Sequence, residues 1–438
     1  MFSIRPLAGA CALAFMQSTA FAASDADIAE IRNEIRNLRS SYEARILALE
    51  QRLKEAEARP AAPAAVAAAP AANYVAPAKA GAQSPQSAFN PAISAILNGR
   101  YTHTKRDPAS FVIPGFVPDG EIGPGRRSFS LGESELVFSA SVDPLFDAQL
   151  NLAVTPEDTV EVEEAYGRYF AAPLGLTPKF GRFRSGIGYL NEQHAHAHDF
   201  ADAPLPYQAF LGGSYTTDGV QLKWIAPTET FIELGGEVGN GDAYPGSERT
   251  RNGAGAAALF AHAGGDWGAN ASWRAGVSHL RTRSSLEAHE TVIEAPDGGV
   301  LTSIEYTGAP ASRLTVADFV WKYSPRGNPR EGSFTVQGEY FNGRVREAAR
   351  QSGWYLQGVW QFHPEWRMGV RYDRLDAGGV EDVTFAPKRA SAMVDWSPSE
   401  YSRLRLQWGR SELAQGLSDN QVFLQYILSL GAHGAHRY

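Results

Sequence analysis

The chain has 438 residues, a formal net charge of −8 and one cysteine, Cys11, while aromatic residues make up 11% of it and glycines number 43. Once an N-terminal leader carrying Cys11 is removed, no disulfide, thiolate metal site or cysteine nucleophile is left to the mature chain. The mild acidity gives no nucleic-acid signature.

The first 22 residues, MFSIRPLAGACALAFMQSTAFA, combine a basic start at Arg5, an apolar run from Leu7 to Met16, and small residues at Ala20 and Ala22. This is the pattern of a secretory signal peptide cleaved after Ala22. The run is too short to span a bilayer as a helix. LAGAC resembles a lipoprotein signal, but its apolar region is only a few residues long, so Cys11 is expected to leave with the leader. No later stretch reaches the length of apolar sequence that a transmembrane helix needs.

Residues 23–59 form the next segment. Ile28, Ile31, Ile35, Leu38 and Tyr42 follow the three-and-four spacing of a coiled-coil seam, which resumes at Ile46, Leu49, Leu53 and Ala56 after a stutter. A lone helix cannot bury such a stripe, so the seam predicts self-association, and its isoleucines lean toward three strands. Residues 60–88 are mostly alanine and proline, with prolines at 60, 63, 70, 77 and 85, and read as an extended linker.

From Phe89 to Tyr438 the apolar period changes to two. Trp366, Met368, Val370 and Tyr372 alternate with Arg367, Gly369, Arg371 and Asp373; Leu404, Leu406 and Trp408 alternate with Arg403, Arg405 and Gln407. Val220, Leu222 and Trp224 likewise oppose Gln221 and Lys223. Each such strand has one apolar and one polar face. About sixteen candidate strands begin near residues 93, 128, 145, 160, 176, 218, 229, 255, 269, 314, 331, 353, 366, 388, 401 and 420. Their connections alternate: short at 143, 171, 226, 264, 363 and 397, long at 104–127, 183–217, 241–254, 285–313, 342–352 and 376–387.

An even strand number with tight turns at one rim and long loops at the other predicts an all-β fold, a transmembrane antiparallel β-barrel at 89–438, preceded by the α-helical coiled coil. Aromatic residues at strand ends, such as Phe362, Trp366, Trp396 and Tyr401, suit the lipid headgroup layer. The final strand carries Val422, Leu424, Tyr426, Leu428 and Leu430 on one face and runs toward the terminal Tyr438, an ending similar to the C-terminal signal of bacterial outer-membrane barrels.

A signal peptide, short coiled coil, Ala/Pro spacer and barrel resemble the phosphate-selective porin O/P type and other coiled-coil-bearing porins. That resemblance implies a homotrimer in the bacterial outer membrane, with the coiled coil in the periplasm. The segments FNPAISAILNGRY, SFSLGESELVFSASVDP and GRFRSGIGYLNEQHAHAHDFADAPLPYQAFLGG look like outer-membrane proteins labelled zinc-regulated, TonB-dependent receptors. Such receptors carry a globular plug before a larger barrel; here a coiled coil and linker stand in that place, and no TonB box is evident.

With apolar faces toward lipid, Lys223, Glu233, Glu237, Arg367, Arg371, Arg403 and Arg405 are expected to line the pore. Both signs are present, so either they set ion selectivity or they pair across the lumen. The longest connection, 183–217, carries NEQHAHAHDFADAP, which holds three of the chain's ten histidines within five residues. In an extended stretch His194, His196 and His198 point to one side, about 7 Å apart at successive pairs. With Glu192 or Asp199 they would suit zinc or another divalent ion. The competing reading is a polar constriction loop without metal.

No G-x-S-x-G stretch is present and no catalytic residues are expected. The first functional expectation is a porin-like channel for passive diffusion of small hydrophilic solutes or ions, narrowed by the loop at 183–217 and requiring no cofactor. The alternatives are an outer-membrane zinc-binding or uptake protein, and a tether between outer membrane and cell wall.

Overall fold

The computed structural model describes residues 91–431, apart from short segments at 118–121, 157–158, 248–251, 284–286, 295–299, 309, 346–349, 379–382 and 384. The expected signal peptide, coiled coil and linker, and the terminal Tyr438, lie outside the described residues.

Nineteen strands follow in chain order. They open with β1 (Ala92–Thr104), β2 (Ser128–Leu131), β3 (Ser134–Asp143), β4 (Phe146–Val154), β5 (Val160–Tyr169) and β6 (Leu176–Arg184). Then come β7 (Thr216–Ile225), β8 (Phe231–Gly239), β9 (Ala256–Asp266), β10 (Ala271–Arg281), β11 (Glu287–Glu294) and β12 (Val300–Gly308). The last are β13 (Arg313–Tyr323), β14 (Ser333–Arg344), β15 (Arg350–His363), β16 (Trp366–Asp376), β17 (Lys388–Ser399), β18 (Ser402–Ala414) and β19 (Leu417–Gly431).

Every neighbouring pair in the wall is antiparallel, and β1 pairs with β19 from Ser94–Gly431 to Thr104–Gln421, which closes the sheet into a barrel. β2 and β3 both pair with β1 and act as one interrupted stave, so the wall has 16 staves. At the interruption the Gly132 N–H donates to the Asn98 carbonyl at 2.7 Å. Among the described residues β11 and β12 pair only with each other and form a hairpin within the connection between β10 and β13, where the sequence predicts a long loop at 285–313. The expected strand starts fall within a few residues of those observed.

The wall is inverted relative to a soluble sandwich. On β18, Leu406 and Trp408 are 49% and 45% exposed, whereas Arg405 and Gln407 between them are 0% exposed. β16 repeats the pattern, with Met368 and Val370 exposed and Arg371 and Asp373 buried. A water-soluble barrel would enclose the leucines; one whose solvent is hydrocarbon turns them outward. Rings cluster at the short-turn rim: Trp366 stacks on Trp396 with centroids 6.2 Å apart, Trp321 on Tyr323 at 5.8 Å, and Phe146 meets Tyr169 at 4.8 Å. Their amphipathic character suits an interface layer.

Candidate functional site in the barrel interior

The connection between β6 and β7 turns inward and bonds to staves around the ring. It starts on β8, where Glu237 accepts from the Gly186 N–H at 2.8 Å and from the Ser185 hydroxyl. Gly188 then donates its N–H to the Ser278 hydroxyl of β10 at 3.1 Å. Its φ is +66°, and a Cβ there would lie 2.3 Å from Glu339 Oε2, so only glycine fits this approach. Glu339, on β14, accepts from the N–H groups of Tyr189 and Leu190 at 3.2 and 3.0 Å. The hydroxyls of Tyr207 and Tyr355 also donate to it, at 3.0 and 2.7 Å. A buried carboxylate saturated this way holds the first turn of the loop in place.

The histidine-rich stretch follows and is electrostatically two-ended. At one end His194 and His196 meet carboxylates of β3 and β5. His194 Nε2 lies 3.0 Å from Glu164, His194 Nδ1 lies 3.1 Å from Glu163, and His196 Nδ1 lies 2.6 Å from Glu135. Burial and Arg184 push the His194 imidazole down; its hydrogen bonds to Glu163 and Glu164 outweigh them and bring it up to about 10. At the other end the loop's own carboxylates meet the arginines of β16–β18. Asp199 accepts from Arg367 at 2.9 Å, and Asp202 accepts from Arg371 at 2.9 Å, from Gln407 at 2.6 Å and from Arg389. Burial would raise the Asp202 carboxyl, but Arg371 and Arg389 hold it down to about 2.

The seven charged residues expected to line the pore all turn toward the interior, and each has a partner there. Lys223 pairs with Glu192, Glu233 with His262 at 3.0 Å, and Glu237 with the loop start. Arg367 meets Asp199 and Asp395, and Arg371 meets Asp202. Arg403 donates to the His196 carbonyl at 3.4 Å, and Arg405 donates to Asp395 at 2.9 Å and to the His198 carbonyl at 2.7 Å.

The expected metal-ligand set divides. A 3₁₀ turn at Ala195–Ala197 replaces the extended backbone assumed for the stretch. His194 and His196 stack with ring centroids 5.8 Å apart, while His198 turns away and donates from Nε2 to the Gln193 carbonyl at 3.2 Å. Glu192 and Asp199 are engaged by Lys223 and Arg367, so neither joins the histidines. Among the described residues, the group whose donor atoms converge is instead Glu135, Glu163 and His194, all within 4.8 Å of one another. Sequence spacing does not bring these three together, because they come from two staves and a loop. The consecutive pair Glu163–Glu164 was the available signal, since alternation would send one of them to lipid. A β-bulge resolves the conflict: Asn151 pairs with Glu164 and Leu152 with Val162, leaving Glu163 as the extra residue, so both side chains are drawn inward.

The next part of the loop is largely apolar. A short helix, α1 (Leu205–Leu211), has every residue buried. Phe210 stacks on Phe341 of β14 at 5.9 Å and meets Phe116 of the 105–127 connection edge-on at 5.3 Å. The Tyr244 hydroxyl has the carbonyls of Ala209 and Val117 within hydrogen-bond reach of its single proton, at 2.9 and 3.1 Å, so three long connections meet at this rim. Gly212, with φ +62°, ends the helix in the left-handed conformation.

No family model matches the sequence. A curated protein of Aquifex aeolicus, described as uncharacterized, is 30% identical over 401 residues, covering 81% of each chain. The chain belongs to that protein's family. Among solved structures, a loop-deletion mutant of OmpT, an outer-membrane protein of Vibrio cholerae, is 11% identical with a TM-score of 0.50 and covers 77% of this chain and 98% of that one. The outer-membrane channel DcaP of Acinetobacter baumannii is 14% identical with a TM-score of 0.47, covering 77% of this chain and 96% of that one. The first of these likenesses places the fold among outer-membrane β-barrels.

Proposed function

We propose that the protein is a porin-like channel of the bacterial outer membrane that passes small hydrophilic solutes or ions by diffusion. The observation that carries this reading is the inverted wall, with leucines and tryptophans facing out and arginines, glutamates and glutamines facing in. The basic residues concentrate on β16–β18 (Arg367, Arg371, Arg389, Arg403, Arg405) and the acidic ones on β3, β5 and β8 (Glu135, Glu163, Glu164, Glu233, Glu237). A solute passing between such walls would cross a transverse field, and the loop at 183–217, bonded to both, would set the width and polarity of the passage. In this reading the coiled coil at 23–59 holds three copies together from the periplasmic side.

Planar-bilayer recording on the purified full chain tests the proposal. Discrete openings are expected, with larger conductance when Asp202→Asn and Asp199→Asn loosen the loop from the arginine wall. Absence of openings in both the wild type and this double variant would overturn it.

A further inference from the structure

The cluster of Glu135, Glu163, Glu164 and His194 has features that holding a loop does not require. Glu135 Oε2, Glu163 Oε2 and His194 Nδ1 all surround one atom, the side-chain nitrogen of Asn151, at 2.8, 3.2 and 3.2 Å. His194 Nδ1 carries the proton it gives to Glu163, so it and the amide nitrogen approach as two donors and this contact is left unsatisfied. Asn151 is 0% exposed, and its Oδ1 has no hydrogen-bond partner among the described residues. Rotating the amide by half a turn presents that oxygen to the same point, a geometry in which two carboxylates, an imidazole and an amide oxygen face one centre.

The surroundings fit this centre. His194 gives its other ring nitrogen to Glu164 at 3.0 Å, the arrangement by which a carboxylate orients a ligating imidazole. Glu135 is fixed by His196, and Glu163 by Arg184. The bulge at Glu163 supplies the ligand and its orienting neighbour Glu164 from consecutive residues. Arg184 is the one guanidinium in contact with the cluster among the described residues, reaching Glu163 and, at 4.0 Å, Glu133, while its backbone N–H donates to Glu164. The excess of negative charge suits a divalent cation more than a proton alone.

We infer that Glu135, Glu163 and His194, with the side-chain oxygen of Asn151, form a divalent-metal site that fastens the interior loop to the wall at β3–β5. Binding displaces the Nδ1 proton of His194 to solvent, and His194 keeps its Nε2–H on Glu164. Mixed oxygen and nitrogen donors fit Zn²⁺ or a similar first-row ion. The site goes beyond the channel reading, and its test does not depend on conductance.

Zn²⁺ binding to the detergent-solubilised full chain is measured by equilibrium dialysis with elemental analysis. The wild type should take up one saturable Zn²⁺ per chain. Glu163→Gln and His194→Ala should each weaken it at least tenfold, and Glu164→Gln about 10- to 100-fold through the orientation of His194. His198→Ala should leave it unchanged, because that ring lies elsewhere. Folding of each variant is checked by heat-modifiable gel mobility; should His194→Ala fail to fold, Glu163→Gln and Glu164→Gln, which preserve shape, decide the matter. No saturable Zn²⁺ in the wild type, unaltered binding in Glu163→Gln, or loss in His198→Ala with retention in Glu163→Gln would each overturn the site. Intact Zn²⁺ binding in a chain that never conducts would remove the channel reading and leave this one standing.

Discussion

Asp202 and Arg371 lie 2.9 Å apart with their side chains almost entirely enclosed, and the same carboxylate also takes Arg389 from the adjoining stave. One loop residue thus neutralises two wall residues. Asp373 also lies 3.0 Å from Arg371, but without hydrogen-bond alignment, so Asp202 is the partner that matters more. Replacing Asp202 by Asn should leave two guanidiniums under-compensated, and breaking a buried pair from one side costs about 3–5 kcal/mol. The expected outcome is faster proteolytic cleavage within 195–210 at an unchanged barrel, read by limited proteolysis and peptide mapping. Cleavage at the wild-type rate would refute the anchoring role.

Burial, followed by the nearby Arg184, holds the His198 imidazole neutral down to about 3. In an undocked loop it titrates near its ordinary value of about 6.5. Between those values the undocked state binds more protons at His198, so through this residue docking weakens as pH falls from about 6.5 toward 3. His194, held up to about 10, acts in the opposite sense and weakens docking as pH rises from about 6.5 toward 10. Asp202 does not confound the upper part of the range, because its carboxyl stays ionised in both states above about pH 5. Hydrogen exchange of residues 190–200 should therefore accelerate, after correction for intrinsic rates, between pH 7 and 4 in the wild type. His198→Gln should flatten that dependence.

The apolar end of the loop is a separable anchor. Phe210 is buried between Phe341 and Phe116. Phe210→Ala should cost about 3–5 kcal/mol through lost transfer energy and the cavity left behind. Since the barrel wall does not depend on this ring, the loss should appear as raised exchange confined to α1 and the 105–117 segment. A fall in the stability of the whole barrel to urea would contradict this division.

The orientation of the wall can be tested at adjacent residues. Leu406 faces outward and Gln407 inward. Leu406→Arg should destabilise the barrel in phospholipid vesicles by about 2–4 kcal/mol near the bilayer midplane. Gln407→Asn should cost little of the wall's stability and instead weaken the contacts to Asp202 and to the Ala201 N–H. Equilibrium urea titration in vesicles separates the two; equal losses would argue against a lipid-facing Leu406.

The wall was legible in the sequence because a period of two needs no tertiary information: the Leu404–Trp408 alternation assigns a face to each residue before any partner is known. Rim aromatics and alternating loop lengths then supplied the direction. The interior was only half legible. Its charged residues could be assigned to the inside but not to partners, since Asp202 and Gln407 are 205 positions apart. The histidine spacing misled because it assumed a straight backbone where a 3₁₀ turn intervenes. Glu163 was hidden by the bulge, which breaks the very alternation used to read the wall. The apolar α1 gave no periodic signal, because all seven of its residues are enclosed.

The seam between Ser94 and Gly431 joins the two extremes of the described chain. Until synthesis has delivered the last stave, the first has no partner on that side, and any shorter fragment carries two open edges ready to pair with other chains. Such a polypeptide cannot mature progressively as it emerges. It has to be kept apart from its neighbours over its full length and then closed in a single late event, with the loop enclosed as the ring completes.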